Sequence, residues 1–230
     1  MRSGGNIQVE NLNSSNYFQS LSDVSNNIGP VIMQATGNIQ ARFILANNTG
    51  GETGYISLSA GGNISTEGLM TNNLATDGTS SYITVNAGDK FIFTSKVYGM
   101  HISTVSPNGG GNGGGNITIK AKGDISITCL NLNPICVETS GFSPIKDIKP
   151  TGNGGNITII SEQGAIIFQT DSEFYTIDIN ANSEYAAGNT GAVNLQARGD
   201  IILGRINLVS DDKLKYDSGN INIISVDGKI

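Results

Sequence analysis

Three glycine corners in this chain carry an acid: Gly88-Asp89, Gly123-Asp124 and Gly199-Asp200. Asn38 and Asn63 hold the same place in two further copies of the motif. Carboxylates stacked in this way can hold Ca²⁺ through their oxygens. Gly-Asp and Gly-Asn also make tight turns unaided. Ala165 breaks the row, and Asp89 and Asp124 form its one consecutive pair. Turn-making is therefore the favoured reading, and no metal is expected. His101 is the only histidine, which removes a two-histidine metal site. As a general base it would need a nucleophile or carboxylate beside it. Gly99-Met100-His101-Ile102-Ser103 offers none in sequence, so a packed or exposed strand residue is expected.

Enzymes that cleave polysaccharides work with clustered acids. Asp171, Asp178, Asp211, Asp212 and Asp217 fall at unlike loop positions with no recurring pair, so no catalytic residue is expected. Such an enzyme remains the rival reading. Gly109 to Gly114 spells G-x-G-x-x-G, but the dinucleotide fingerprint needs a helix after it. Here Asn116-Ile117-Thr118-Ile119 follows, a strand pattern, and no cofactor is expected. Cys129 and Cys136 flank six residues that include Asn133-Pro134. A loop-closing disulfide fits an exported protein, and two reduced thiols fit the spacing equally well. A zinc site would need further ligands.

The outward row Gln8, Ser57, Thr84, Thr118, Thr158, Asn194, Asn222 contains three consecutive threonines. A flat threonine ladder can match an ice lattice, so an ice-binding rod is a second alternative. With only three threonines in line, a solvated β-face is favoured.

These residues are set out by a recurring phrase, Gly-(Gly/Asn)-x-Ile-x-(Ile/Val/Leu)-x-(Ala/Ser)-x-Gly-(Asp/Asn)-Ile. Its copies start at Ile7, Val31, Ile56, Ile83, Ile117, Ile157, Val193 and Ile221, in steps of 24, 25, 27, 34, 40, 36 and 28 residues. Alternating apolar and polar residues predict strands. Thus Ile117 and Ile119 face one way, Thr118 and Lys120 the other. Ala121, small and inward, suits the bend before Gly123-Asp124, and Ile125 begins a second strand. A third strand is predicted at 101–106, 176–181 and 205–210. Three strands and three corners make one coil, and coils stack with parallel strands about 4.8 Å apart. The pattern thus predicts an all-β solenoid of about seven coils forming a single unit over residues 1–230. Inserts at 131–153 and 171–187 would project as loops, where binding usually resides. Phe174, Tyr175 and Tyr185 there could stack on sugar rings.

Composition agrees. The chain has 31 Gly and 27 Asn, residues that tolerate positive φ and hence imply many corners. A net charge of −6 with scattered basic residues argues against a nucleic-acid partner. No apolar run reaches the length of a membrane-spanning helix. Neither end carries a signal peptide or a cap, so an uncapped piece of a longer protein is expected.

The phrases Gly154-Gly155-Asn156-Ile157-Thr158-Ile159 and Gly113-Gly114-Gly115-Asn116-Ile117-Thr118-Ile119-Lys120-Ala121-Lys122-Gly123-Asp124-Ile125 resemble the repeats of filamentous-haemagglutinin-like exoproteins. They are similar in particular to the large two-partner-secretion passengers common in cyanobacteria. The likeness spans nearly the whole chain, strongest from Gly113 to Ile230. It implies a right-handed parallel β-helix, exported with an outer-membrane transporter as partner and displayed or released as an adhesin. A cell-surface glycan or protein receptor would be its ligand. The family's Asn-Pro-Asn-Gly secretion segment is not seen; Ser106-Pro107-Asn108-Gly109 is a partial echo at mid-chain. No functional residue carries over. The expectation is a non-catalytic shaft, secreted or held at the outer-membrane surface.

Overall fold

The computed structural model describes residues 1–13, 29–48, 54–73, 81–96, 101–105, 114–129, 135–139, 153–170, 178–181, 189–208 and 219–230. Their strands wind as stacked coils. The first coil holds β1 (Arg2–Ser3) and β2 (Ile7–Asn13), the second β3 (Val31–Ala35) and β4 (Ile39–Leu45). The third holds β5 (Ile56–Ala60) and β6 (Ile64–Met70). The fourth has three strands, β7 (Ile83–Ala87), β8 (Phe91–Ser95) and β9 (Ile102–Ser103). In the fifth come β10 (Ile117–Ala121), β11 (Ile125–Cys129) and β12 (Ile135–Glu138). The sixth contains β13 (Ile157–Ser161), β14 (Ile166–Thr170) and β15 (Asp178–Asn180), the seventh β16 (Val193–Ala197), β17 (Ile201–Ile202) and β18 (Arg205–Asn207). An eighth begins with β19 (Ile221–Ser225).

All strand pairs are parallel and join equivalent strands of successive coils. One sheet runs β1-β3-β5-β7-β10-β13-β16-β19, and the other has eleven strands. This is a parallel β-helix. The second sheet forks at β6, whose first half pairs with β8 and whose last residues pair with β9. In the second and third coils one seven-residue strand thus does what β8 and β9 do together in the fourth. In the fourth, fifth and sixth coils an insert opens at this corner, whereas in the seventh the step from Ile201 to Ile206 is the same as that from Ile64 to Leu69 in the third. The expected loop 131–153 is itself interrupted by β12, which pairs with β9 and β15.

The register corrects the phase of one copy. Ile7 pairs with Ile39, so it opens a second strand, and the first strand of its coil is β1. Gln8 accordingly lies beside Gln40, and Ile32, beside Ser57, heads the outward row.

Alternation places the core. Ile56, Ile83, Ile117, Ile157 and Val193 form one fully buried column, and Leu58, Val85, Ile119, Ile159 and Leu195 form the next. Burying each such side chain is worth about 1.5–3 kcal/mol. A third column of small residues, Ala60, Ala87, Ala121, Ser161 and Ala197, leaves room for the corner. The Ser161 hydroxyl donates to the Gly123 carbonyl of the preceding coil at 2.7 Å.

Polar groups at the corners also serve stacking. Asn38 accepts the Asn63 N–H on its Oδ1 at 2.7 Å, and Asn63 accepts the Lys90 N–H at 3.0 Å. Asn116 accepts from Asn156, and Asn156 from Ala192. The asparagines were expected for their tolerance of positive φ. At these corners they also bridge one coil to the next, meeting backbone donors that would otherwise be unpaired.

A buried threonine rung closes three inserts. Thr71, Thr104 and Thr139 are fully buried, and their hydroxyls donate to the carbonyls of Ser81, Gly115 and Gly155 respectively, across segments 74–80, 106–113 and 140–152. Thr139→Val keeps the shape but removes the donor at 2.6 Å from Gly155. A buried carbonyl deprived of its partner costs about 1–3 kcal/mol, and urea denaturation of this variant should show a loss of that size.

Candidate functional site

Two of the three corner acids, Asp124 and Asp200, spend their carboxylates on neighbouring coils. Asp124 shares its rung with Lys90, not with Asp89. The Ile64 N–H bonds the Lys90 carbonyl and the Phe91 N–H that of Asp124, while Gly123 N–H bonds Asp89. The consecutive carboxylate pair expected from the repeats is therefore absent, with a lysine in its place. Lys90 Nζ sits 2.9 Å from Asp124 Oδ2. Asp124 Oδ1 accepts the Ala165 N–H at 3.0 Å. That backbone hydrogen bond first, and the lysine second, hold the Asp124 carboxyl below the usual carboxylate range. Asp200 repeats the device, accepting the Lys229 N–H at 2.8 Å. Among the described residues no group of three His, Cys, Asp or Glu side chains could hold a metal ion.

His101 acquires the carboxylate that its sequence neighbourhood lacks. Glu138 of the next coil brings Oε2 to 3.8 Å from His101 Nε2. Burial pushes the imidazole down to about 4. The carboxylate alone would raise it, but at 3.8 Å it is at the edge of ion-pair range and desolvation prevails. A free imidazole titrates near 6.5. Between those values the unfolded chain binds a proton that the folded chain refuses, so stability is full above pH 6.5 and falls as pH drops toward 4. The expected loss is about 2–3 kcal/mol between pH 7.5 and 4.5. His101→Gln should flatten that part of the profile in chemical denaturation.

Cys129 and Cys136 are joined, with Cα atoms 6.1 Å apart, and both are buried. Of the two readings open in the sequence, the structure shows the disulfide. It closes segment 130–134 at the forked corner. Asp171, Asp211, Asp212 and Asp217 lie outside the described residues, as do Phe174, Tyr175, Tyr185 and residues 109–113. Asp178 begins β15 and pairs with Ile135 and Arg205.

What remains as a candidate surface is the outer face of the eight-stranded sheet. Thr84, Thr118 and Thr158 are in direct register there, flanked by Ser57 and Asn194. The parallel outward column reads Gln34, Ser59, Asn86, Lys120, Ile160, Gln196. At the edge of the face, in the residue before each strand, Tyr55 and Tyr82 stack at 4.6 Å between centroids and 11° between planes. Neither was singled out from the sequence. The signal was their shared position just before Ile56 and Ile83. Tyr82 is 42% exposed, and slight burial with the Tyr55 hydroxyl beside it raises its phenol. The next residues in that column are Asn116 and Asn156, both exposed.

Compared with known protein families, curated proteins and solved structures, the chain shows no match.

Proposed function

We propose that this chain is a structural shaft segment of a secreted or cell-surface adhesin and carries out no catalysis. The observation that carries the reading is the use of corner polar groups. Asn38, Asn63, Asn116, Asp124, Asn156 and Asp200 each spend a side-chain oxygen on a backbone N–H of the adjacent coil. A protein whose polar groups are spent on stacking is built to be long and stiff. Adhesion at a distance from a cell needs those properties, and export favours a fold that grows coil by coil from local contacts. Its partners would be a surface glycan or protein receptor and, during export, an outer-membrane transporter.

Protease shaving of intact producing cells tests the location. Loss of the protein from shaved cells, or its recovery from medium, is the expected outcome. Protection until the cells are lysed would overturn the proposal. Incubation with pectate, alginate and neutral glucans should release no new reducing ends or unsaturated products.

The threonine column favours one second reading, an ice-binding rod. It is weakened by the neighbouring column, where Asn86, Lys120 and Ile160 replace the second threonine row that a lattice match requires. Thermal hysteresis in microlitre droplets would support it, and its absence is expected.

A further inference from the structure

We infer that Tyr82 and the rung below it form a seat for one pyranose ring of an uncharged polysaccharide. The two tyrosine rings are one rung apart and nearly parallel. Tyr55 covers one face of Tyr82. The opposite face looks toward the next rung, where a short Asn116 replaces a third ring. A ledge results, with an aromatic wall and a polar floor. Asn116 commits its Oδ1 to the Asn156 N–H, which fixes the amide plane and leaves its NH₂ to donate outward. Asn156 is fixed in the same way by Ala192. Thr84 and Thr118, two residues along their strands from Tyr82 and Asn116, add hydroxyls on the same face.

A sugar ring has a flat C–H face and an edge of hydroxyls, and the ledge offers a partner for each. An aromatic wall takes the apolar face, while amides and hydroxyls take the edge. The charge pattern selects the class of glycan. No residue of the ledge is charged, and the chain carries a net charge of −6, which repels polyanions. The seat differs from the insert aromatics considered in the sequence, and it does not depend on the protein being exported or serving as a shaft.

Native affinity electrophoresis of the whole chain, in gels containing soluble β-glucan, galactomannan or polygalacturonate, tests the seat. Retardation by at least one neutral polymer is expected, and none by polygalacturonate. Tyr82→Ala should weaken retardation at least tenfold, Tyr82→Phe less than threefold, and Asn116→Ala should weaken it measurably. Thr128→Ala, on the other sheet, should leave it unchanged. Circular dichroism of each variant separates lost binding from lost fold. The proposal is overturned by no retardation in any neutral polymer. It is equally overturned by retardation that survives Tyr82→Ala in a folded protein, or that is stronger in polygalacturonate. None of these results touches the shaving experiment, so the seat and the shaft fail separately.

Discussion

Phe91→Ala should destabilise the rod by about 3–5 kcal/mol, the range for emptying a large buried aromatic site. Phe91 is fully buried in the middle of the second sheet, between Ile64 and Ile125 in the coils on either side. Backbone ladders hold those coils at a fixed spacing, so they cannot close onto the void, and the cost should lie near the top of the range. In a solenoid each coil touches only its neighbours. The damage should therefore be local: hydrogen exchange is expected to quicken in β6, β8 and β11 while β16 keeps its protection. Uniform loss of protection along the chain would show a globally cooperative core instead.

Gly155→Ala should cost about 3 kcal/mol or more, for the opposite reason. A Cβ at Gly155 would lie 2.0 Å from the Gly115 carbonyl oxygen, and one at Gly191 would lie 1.9 Å from that of Gly155. Neither glycine is in the left-handed region. They are required because one backbone rests directly on the next, and an added methyl must push two coils apart. Overpacking commonly costs 1–3 kcal/mol, and here the obstacle is backbone that cannot rotate away. The Gly155 carbonyl also accepts the Thr139 hydroxyl, so the fifth coil should lose its closure together with its spacing. Urea denaturation of this variant, with Gly29→Ala as a control where nothing lies within 4 Å, measures the difference.

The core was legible because period two fixes which side chains face inward, whatever the partner strand. Ile117 and Ile119 could be assigned from their neighbours in sequence alone. Phase was less legible. Ile7-Gln8-Val9 alternates as a first strand would, and only pairing with Ile39 reveals it as a second. The acids were misaligned for a similar reason. The corner Gly88-Asp89-Lys90 and the corner Lys122-Gly123-Asp124 place their Gly-Asp dipeptides one residue apart, so matching the dipeptides slipped the register. β12 was hidden because its four residues, Ile135 to Glu138, carry too little alternation to read. His101 and Glu138 are far apart in sequence and meet because coils stack, which no local pattern encodes. Glycine and asparagine did mark corners, where Gly155 and Gly191 allow close approach of two backbones and the asparagines add inter-coil hydrogen bonds.

Pairwise cysteine cross-linking tests the stacking most directly. Equivalent residues of adjacent coils lie about 4.8 Å apart, inside the Cα range a disulfide spans, and alternate coils lie outside it. Thr118→Cys with Thr158→Cys should oxidise to one intramolecular cross-link recovered by peptide mapping, whereas Thr84→Cys with Thr158→Cys should remain reduced. A cross-link in the second pair, or none in the first, would contradict a rod of in-register parallel coils.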